Sequence, residues 1–329
     1  MPGKVLISYF VFSSGGLMTL ATIEKCLAGP TRDKISVCMA TGYEAGNYGD
    51  LLSRYIVEKL SGKEVVKYPE DNTYHLCSVG SVLSRNKMCA KTVVWGSGFL
   101  SPQAQYKIIL TKIRQHFRGK VGNACYLAVR GAKTREILLK AGYKCPAVFA
   151  DPALLMPKFY FPQLSKKFKL GVVLHWSQEK FASMFSAVEG VKIIDINRPY
   201  NDLNSFVDEI LQCDYILSSS LHGLIIADAY KVPCVRLKID KNPIAASEAK
   251  DDFKFEDYLS GLNICKEDKH APDHAFNTLH LQPGATQNEE LVNAVKKAAA
   301  QRNFDVNLTA LVQAFPFLKE DYKGKTFIV

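Results

Sequence analysis

The sequence has few of the features that mark metal-binding, disulfide-linked or membrane-spanning proteins. Its nine cysteines form no C-x-x-C pair and no Cys/His cluster at zinc spacing, so neither a zinc finger nor a thioredoxin-like redox motif is expected. The cysteine number is odd and several cysteines fall inside apolar runs, which is typical of reduced core residues in a reducing compartment. No apolar run reaches the ~18–20 residues of a membrane span.

The sequence shows no internal repeat or low-complexity tract, and we expect no secretory signal. Residues 5–21 begin as an apolar stretch after Lys4, but they contain no A-x-A cleavage site and a Ser-Ser-Gly-Gly sequence interrupts them. We therefore expect a strand or helix at the edge of a domain there. Residues 1–34 form an extra N-terminal segment to which we assign no function.

Length and charge limit the classes of function. The chain has 329 residues, enough for two domains of roughly 150 residues each. Lys and Arg number 42 against 32 Asp and Glu, a net charge of +10 that suits phosphorylated substrates, nucleic acid or an acidic membrane surface. The basic residues are dispersed and interleaved aromatics are few, so we expect no nucleic-acid partner. A basic run at residues 107–120 is interpreted as a solvated helix face.

Strand-like and helix-like patterns alternate along the chain. Apolar runs such as residues 92–95, 126–129 and 170–174 predict buried strands, and amphipathic stretches lie between them. The alternation predicts an α/β protein with two doubly wound, Rossmann-like domains that face a cleft, followed by C-terminal helices. A Pro- and Lys-containing stretch without clear periodicity follows Pro157, so we place the boundary between domains 1–160 and 161–329 there.

Residues 213–237 constrain function more tightly than any other segment. They comprise a short apolar strand, a serine-rich turn, a helix and a second strand, which puts His222 in the first turn of a helix at the carboxyl end of a parallel strand. Anions bind at such places because free helix N–H groups and the positive end of the helix dipole meet there. Gly223 lets a ligand approach the backbone. The serines are Ser218, Ser219 and Ser220.

Residues after strands of the first half are further candidates for substrate binding. They are Asn47, Gly49 and Asp50 in a glycine-rich turn, Gly96 and Gly98 after a buried strand, and Arg130 after another. Glycines directly after a strand allow close approach of the backbone to a phosphate or sugar. Each candidate also has a structural alternative: helix caps for the serines and Asp50, tight turns for the glycines, a surface ion pair for Arg130 and a structural role for His222.

The run S-S-S-L-H-G followed by I-I-A-D-A-Y-K-V-P resembles the signature of the polysaccharide pyruvyl transferase family. Four further motifs resemble that family over roughly residues 35–318. They are N-x-G-D ending at Asp50, R-G-x-x-T from Arg130 to Thr134, D-P-A-L-L from Asp151, and K-F-x-D-Y from Lys254 to Tyr258. The resemblance implies a GT-B-like architecture and transfer of pyruvate from phosphoenolpyruvate to a sugar diol, as a ketal, in exopolysaccharide or capsule biosynthesis.

The implied donor carries a carboxylate and a phosphate, so its site needs cations and backbone donors. We expect Arg130 from the first domain, and Arg236 or Lys238 from the second, to supply the cations. Arg130 carries more weight because some relatives have Arg where Ser220 stands. A histidine that titrates near neutrality can serve as acid and then as base, and His222 is the first candidate, before His175. No carboxylate cluster indicates a metal, so we expect neither a metal nor a cofactor besides the donor substrate.

Two other functions remain open from the sequence. One is a nucleotide-sugar glycosyltransferase with the same two-domain architecture, and the other is a non-catalytic binder of nucleic acid or anionic lipid. For the transferase we expect a glycan acceptor, with a lipid-linked form and peripheral membrane association as open alternatives. The expected location is the cytoplasm or the inner face of the membrane. The sequence makes no prediction of acceptor sugar or oligomeric state.

Overall fold

The computed structural model describes most of the chain. The described residues are 10–13, 16–27, 33–40, 42–69, 73–84, 91–104, 106, 108–109, 124–239, 248–262, 276–283, 287–299 and 305–329. The basic run predicted as a solvated helix face therefore lies, except for residues 108 and 109, outside the described part of the chain.

The first half contains β1 (Phe10–Ser13), β2 (Gly16–Thr19), α1 (Leu20–Leu27), β3 (Lys34–Val37), β4 (Ala45–Asn47), α2 (Tyr48–Ser61), β5 (Glu64–Lys67), β6 (His75–Cys77), β7 (Thr92–Trp95), β8 (Cys125–Ala128) and α3 (Ala132–Lys140). The second half contains β9 (Phe168–Val173), β10 (Val191–Ile194), β11 (Asn197–Pro199), α4 (Leu203–Leu211), β12 (Cys213–Ser218), α5 (Leu221–Ala229), β13 (Cys234–Ile239), α6 (Glu248–Ser260), β14 (Thr278–Leu281), α7 (Glu290–Ala298) and α8 (Thr309–Gln313). Within the described ranges, 3₁₀ segments add Val82–Ser84, Pro152–Lys158, Trp176–Phe185, Tyr200–Asp202 and Glu320–Tyr322.

In the part of the chain that the structure describes, two parallel sheets of five strands each form the framework. The first sheet has the order β5-β3-β6-β7-β8 and the second the order β10-β9-β12-β13-β14. All four residues of β7 are buried, as are the last four of β9, which is typical of strands covered on both faces. The predicted α/β class with two parallel sheets is confirmed. The edge element expected at residues 5–21 corresponds, in its described part, to the β1–β2 hairpin beside β8 and the start of α1.

A small antiparallel sheet joins the two halves. Strand β4 of the first half pairs with β11 of the second, with Asn47 opposite Asn197, and the Tyr48 N–H donates to the Ile196 carbonyl at 2.8 Å. The stack of Tyr48 on Phe206, with ring centroids 4.1 Å apart, supports this contact from the buried side. The glycine-rich loop of the first half is thus bonded to the second half by its backbone.

Late segments of the chain also pack on the first half. The indole N–H of Trp95 donates to the Leu311 carbonyl at 2.8 Å, and the Lys319 N–H donates to the Leu60 carbonyl at 3.1 Å. Helix α6 packs against α3. The division near residue 160 stays a prediction, and these contacts show that segments assigned by sequence to the second half contact the first half as well. In the described residues, no helix has the length and apolar character needed to cross a lipid bilayer.

Candidate functional site

The carboxyl ends of both sheets border one cavity of about 460 Å³. Residues from each half line it, among them Asn47, Asp50 and Ser81 from the first half and His175, Ser220 and His222 from the second. The cavity lies where open α/β sheets bind their ligands, outside the carboxyl ends of the strands. Five residues proposed from the sequence, namely Asn47, Asp50, His175, Ser220 and His222, are therefore brought together.

Three helical segments begin at the cavity. Helix α2 begins after Asn47, whose side chain accepts the Gly49 N–H at 3.1 Å, and helix α5 begins after Ser220. The 3₁₀ segment Trp176–Phe185 begins after His175, whose Nδ1 accepts the Ser177 N–H at 3.3 Å. Residues at all three starts line the cavity. Because N–H groups and the positive dipole end collect there, the arrangement favours an anion.

The three serines have different roles. The Ser218 hydroxyl accepts the Ser220 N–H at 3.0 Å and lies within donating distance of two carbonyls, those of Val173 and Ser220. The Ser219 hydroxyl accepts the His175 N–H at 2.9 Å. Only Ser220 of the three lines the cavity, and its side chain makes no capping bond to α5. Ser218 and Ser219 therefore shape the loop, and Ser220 is the serine placed for a ligand.

His222 lies in the first turn of α5 with 12% of its side chain exposed. Its Nε2 atom is 4.0 Å from Oδ2 of Asp151, and both atoms are buried without a hydrogen-bond partner. Such buried unpartnered polar atoms are rare and call for an explanation. On its other side the ring packs on Gly49, where an added Cβ would lie only 1.9 Å from the imidazole Nδ1. Gly49 thus makes room for His222, a contribution the sequence did not indicate.

Burial lowers the pKa of His222 to about 3, and the positive charges of Arg130 and Lys254 act in the same direction. The sequence-based expectation of a histidine that titrates near neutrality is not met, because the ring is desolvated beside two cations. At 4.0 Å from Asp151 the ring falls within ion-pair distance. We nevertheless consider His222 neutral at pH 7, because an ion pair requires the proton that this low pKa disfavours.

Asp151 is fully buried behind His222. Its Oδ1 accepts the Ala153 N–H at 3.0 Å, which confirms the predicted cap with Pro152 at the first helical position. Burial raises the pKa of this carboxyl to about 6, although hydrogen bonds from the Ala153 and Gly80 backbone act in the opposite direction. The preceding residue, Ala150, has φ 143, a strained conformation for a non-glycine residue that costs about 1–3 kcal/mol. The sequence predicted the cap and missed the second oxygen, which faces His222.

Arg130 lies behind the cavity wall and is fully buried. Its Nε and Nη2 are 3.0 and 2.9 Å from Oδ2 of Asp257, Nη1 donates to the Ser81 hydroxyl at 2.7 Å, and Nη2 donates to the Phe99 carbonyl at 2.7 Å. It is not among the described residues that line the cavity. The alternative prediction of a surface ion pair for Arg130 is wrong, because its ion pair with Asp257 is completely buried. The observed contacts favour a positioning role over direct contact with a donor.

Asp257 connects two of the motifs noted in the sequence. It accepts hydrogen bonds from the Thr134 N–H and hydroxyl, both at 2.7 Å, in addition to the Arg130 guanidinium. A Cβ at Gly131 would lie 1.7 Å from the Asp257 carbonyl oxygen. The R-G-x-x-T residues at the start of α3 thus form the binding surface for α6, which carries K-F-x-D-Y.

Lys254, one turn before Asp257 on α6, is the single lysine or arginine among the described residues that line the cavity. The sequence flagged it only as part of a motif. Arg236, which we expected to bind substrate, is paired instead with Asp252 of α6 at 2.6 Å and lies 3.8 Å over the ring of Phe255. It is not among the described cavity-lining residues.

The other predicted glycines accommodate protein atoms. Gly96 has φ 88, and a Cβ there would lie 2.3 Å from Pro152. A Cβ at Gly98 would lie 2.6 Å from Oδ2 of Asp257, and one at Gly223 would lie 2.4 Å from the Ser218 hydroxyl. None of these three is among the described residues that line the cavity. Their close contacts with buried groups account for the absence of a side chain.

Several cavity-lining residues were not identified from the sequence as candidates, and three of them lie close together. These three are Trp176, Glu179 and Asn197. A signal existed for Trp176, which directly follows His175 at the end of a predicted strand, but Asn197 reaches the cavity only through the pairing of β11 with β4. Among the residues that the structure describes, no group of three or more His, Cys, Asp and Glu side chains is placed to hold a metal ion.

Comparisons with known proteins place the chain in a family. The family model for polysaccharide pyruvyl transferase matches residues 47–241. Uncharacterized protein L143 of Acanthamoeba polyphaga mimivirus is 28% identical over 226 residues, which are 66% of this chain and 71% of that protein. Succinoglycan biosynthesis protein ExoV of Rhizobium meliloti (strain 1021) is 26% identical over 240 residues, 69% of this chain and 65% of that protein. No solved structure matches the chain significantly.

The matched range covers more than half of the chain and includes most of the cavity. It contains Asn47 and Asp50 at the start of α2, Asp151, and His222 at the start of α5. The chain belongs to the polysaccharide pyruvyl transferase family.

Proposed function

We propose that the protein transfers the pyruvyl group of phosphoenolpyruvate onto two hydroxyl groups of a glycan, forming a pyruvate ketal and releasing inorganic phosphate. The observation that carries this proposal is the facing pair of unpartnered atoms, His222 Nε2 and Asp151 Oδ2, beside a cavity bordered by helix starts and Lys254. Family membership supports a transferase of this kind, and the similarity to ExoV supports a part in exopolysaccharide biosynthesis.

The donor anions would be held by groups at the cavity wall. Lys254 offers the positive charge, the Ser220 hydroxyl offers a hydrogen bond, and the first N–H groups of α5 offer a site for phosphate or carboxylate oxygens. Arg130 would act indirectly in this scheme. It holds Ser81 and, through Asp257, helix α6, so it fixes where Lys254 stands.

The reaction balances without water or a redox partner. The first glycan hydroxyl adds to C2 of phosphoenolpyruvate, its proton is removed, and C3 gains a proton so that the methylene becomes a methyl group. The second hydroxyl then forms a bond to C2 as the bond from C2 to the phosphate oxygen breaks. Phosphate leaves with the remaining proton, and C2 becomes the ketal carbon.

His222 would move both protons of the addition step. Because its pKa is about 3, it begins as a neutral base and accepts the proton of the attacking hydroxyl. With Nε2 directed at Asp151, Nδ1 is the nitrogen left for the substrate. The negative charge of bound donor raises the pKa of a nearby histidine, and the Asp151 carboxylate stabilises the imidazolium that forms. His222 can then deliver the proton to C3, and His175 remains the second candidate.

The wider setting is part of the same proposal. Two Rossmann-like sheets around one cleft are consistent with a GT-B-like architecture, and the scheme above needs no cofactor or metal. A cytoplasmic enzyme with a glycan acceptor, free or lipid-linked, fits a donor made in central metabolism.

The test is incubation of the purified chain with glycan acceptors and either phosphoenolpyruvate or nucleotide sugars. We expect phosphoenolpyruvate to react and the nucleotide sugars not to react. The products should be free phosphate and an acceptor whose mass, measured by mass spectrometry, has increased by the mass of pyruvic acid minus that of water. His222→Ala should lower kcat by ~10²–10⁴, the usual effect of losing a general acid or base. Sugar transfer from a nucleotide sugar, with no reaction of phosphoenolpyruvate, would support the glycosyltransferase alternative instead.

A further inference from the structure

Trp176 is more exposed than a tryptophan in a folded domain usually is. It lines the cavity with 52% of its surface exposed, and the tilted ring of His175 lies 5.6 Å from it, measured between ring centroids. No step of the proton chemistry uses this ring. An exposed aromatic surface beside a candidate active site is typical of a binding surface.

Two polar side chains with a fixed orientation accompany Trp176. Asn197 and Glu179 both line the cavity, and the Asn197 amide N–H donates to Oε1 of Glu179 at 2.5 Å. Because a carboxylate only accepts hydrogen bonds, the amide nitrogen must face Glu179. The amide oxygen of Asn197 and the second carboxylate oxygen of Glu179 are left as acceptors. The pair therefore suits a ligand that donates hydrogen bonds.

We propose that Trp176, Glu179 and Asn197 form the acceptor subsite and bind a pyranoside ring with a free diol. This inference rests on the proposed function. One face of a pyranose carries mainly C–H groups, whose positive edges pack well on the negative face of an aromatic ring. The hydroxyls at the ring edge donate to the Asn197 and Glu179 oxygens. The donor groups Lys254, Ser220 and His222 border the same cavity, so donor and acceptor can meet in it.

Tryptophan fluorescence reports on this subsite selectively. The sequence contains two tryptophans, and the other one, Trp95, is fully buried. The full-length chain would be titrated with methyl glucopyranoside, galactopyranoside and mannopyranoside, and with sorbitol, which has hydroxyls but no ring face. We expect at least one pyranoside to change the emission saturably and to protect Trp176 from acrylamide quenching, and sorbitol to do neither.

Trp176→Ala should weaken pyranoside binding, measured by calorimetry or saturation-transfer NMR, by ~3- to 10-fold, and Trp176→Phe should recover part of the loss. Phe161→Ala removes another exposed aromatic ring that is not among the described cavity-lining residues, and it should leave binding unchanged. Unchanged binding in Trp176→Ala would overturn the inference. So would uridine binding at Trp176 more tightly than every pyranoside, because a nucleobase would then be the better occupant.

The outcome can be separated from that of the proposed function. If phosphoenolpyruvate is not consumed, but pyranosides bind and Trp176→Ala weakens their binding, the sugar subsite stands and the proposed reaction fails. If pyruvyl transfer occurs and Trp176→Ala leaves the acceptor KM unchanged, the reaction stands and the subsite fails.

Discussion

One methyl group added at Gly49 should displace the imidazole of His222. The Cβ of alanine at this position would lie 1.9 Å from Nδ1, whereas an ordinary contact is at least 3.4 Å, so the ring must move by about 1.5 Å. A misplacement of ~1 Å of a catalytic group can cost ~10²-fold in rate. We therefore expect Gly49→Ala to lower kcat about 10²-fold, which corresponds to ~2.7 kcal/mol. The substitution lies in the first turn of helix α2, so the helix itself should tolerate alanine.

The assay is release of phosphate from phosphoenolpyruvate in a double-mutant cycle with His222→Ala. Removing the imidazole frees the space that the new methyl group needs. The double mutant should therefore be no slower than His222→Ala alone, and thermal melting should show that all variants are folded. A Gly49→Ala protein with wild-type kcat would refute the reasoning. A full additional loss in the His222→Ala background would also refute it, because the methyl group would then act through something other than the ring.

Three further predictions concern the surrounding charges. Arg130→Ala should lower the free energy of unfolding in urea by ~3–5 kcal/mol, because it leaves a buried carboxylate unpaired, whereas Lys133→Ala, which breaks an exposed pair, should change it by less than ~1 kcal/mol. Lys254→Ala should weaken binding of phosphoenolpyruvate, measured by calorimetry, by about one to two orders of magnitude, because a charge-assisted hydrogen bond contributes roughly 1.5–3 kcal/mol. An unchanged Kd would show that Lys254 does not belong to the donor site. Between pH 4 and 6 the unfolded chain holds more protons at His222 and fewer at Asp151 than the folded chain, so the two effects nearly cancel. Asp151→Asn should expose the His222 contribution, with stability rising by up to ~1.4 kcal/mol per pH unit in that window, and a slope equal to that of the wild type would contradict the pKa directions.

Local patterns predicted the framework and the helix starts. The buried apolar run of β7 and the unit from β12 through α5 to β13 are set by periodicity and turn residues within a few positions of each other. The same is true of the cap at Asp151 and its neighbouring proline. Strand ends of a parallel sheet meet at one edge, and the two predicted sheets were expected to face one cleft. His222 and Asp50, placed at strand ends of different sheets, were therefore expected to approach the same ligand site.

Roles that depend on distant partners could not be predicted in this way. The carboxylate that pairs with Arg130 is 127 residues further along the chain, and nothing in the local sequence shows that the guanidinium is already engaged. Gly49 reads as a flexible loop glycine until the ring of His222 is placed against it. Lys254 looks like any surface lysine of an amphipathic helix, and only the docking of α6 on α3 brings it to the cavity.

The buried pair of Arg130 and Asp257 has a consequence for how this family can vary. Either residue alone would leave an unpaired charge that is fully buried, so single replacements at these positions should be selected against. Substitutions at the two positions should therefore occur together, and with them changes at Thr134, which bonds to the same carboxylate. In an alignment of relatives, the R-G-x-x-T and K-F-x-D-Y motifs should be retained or lost as one unit, although neither Arg130 nor Asp257 is among the described residues that line the cavity.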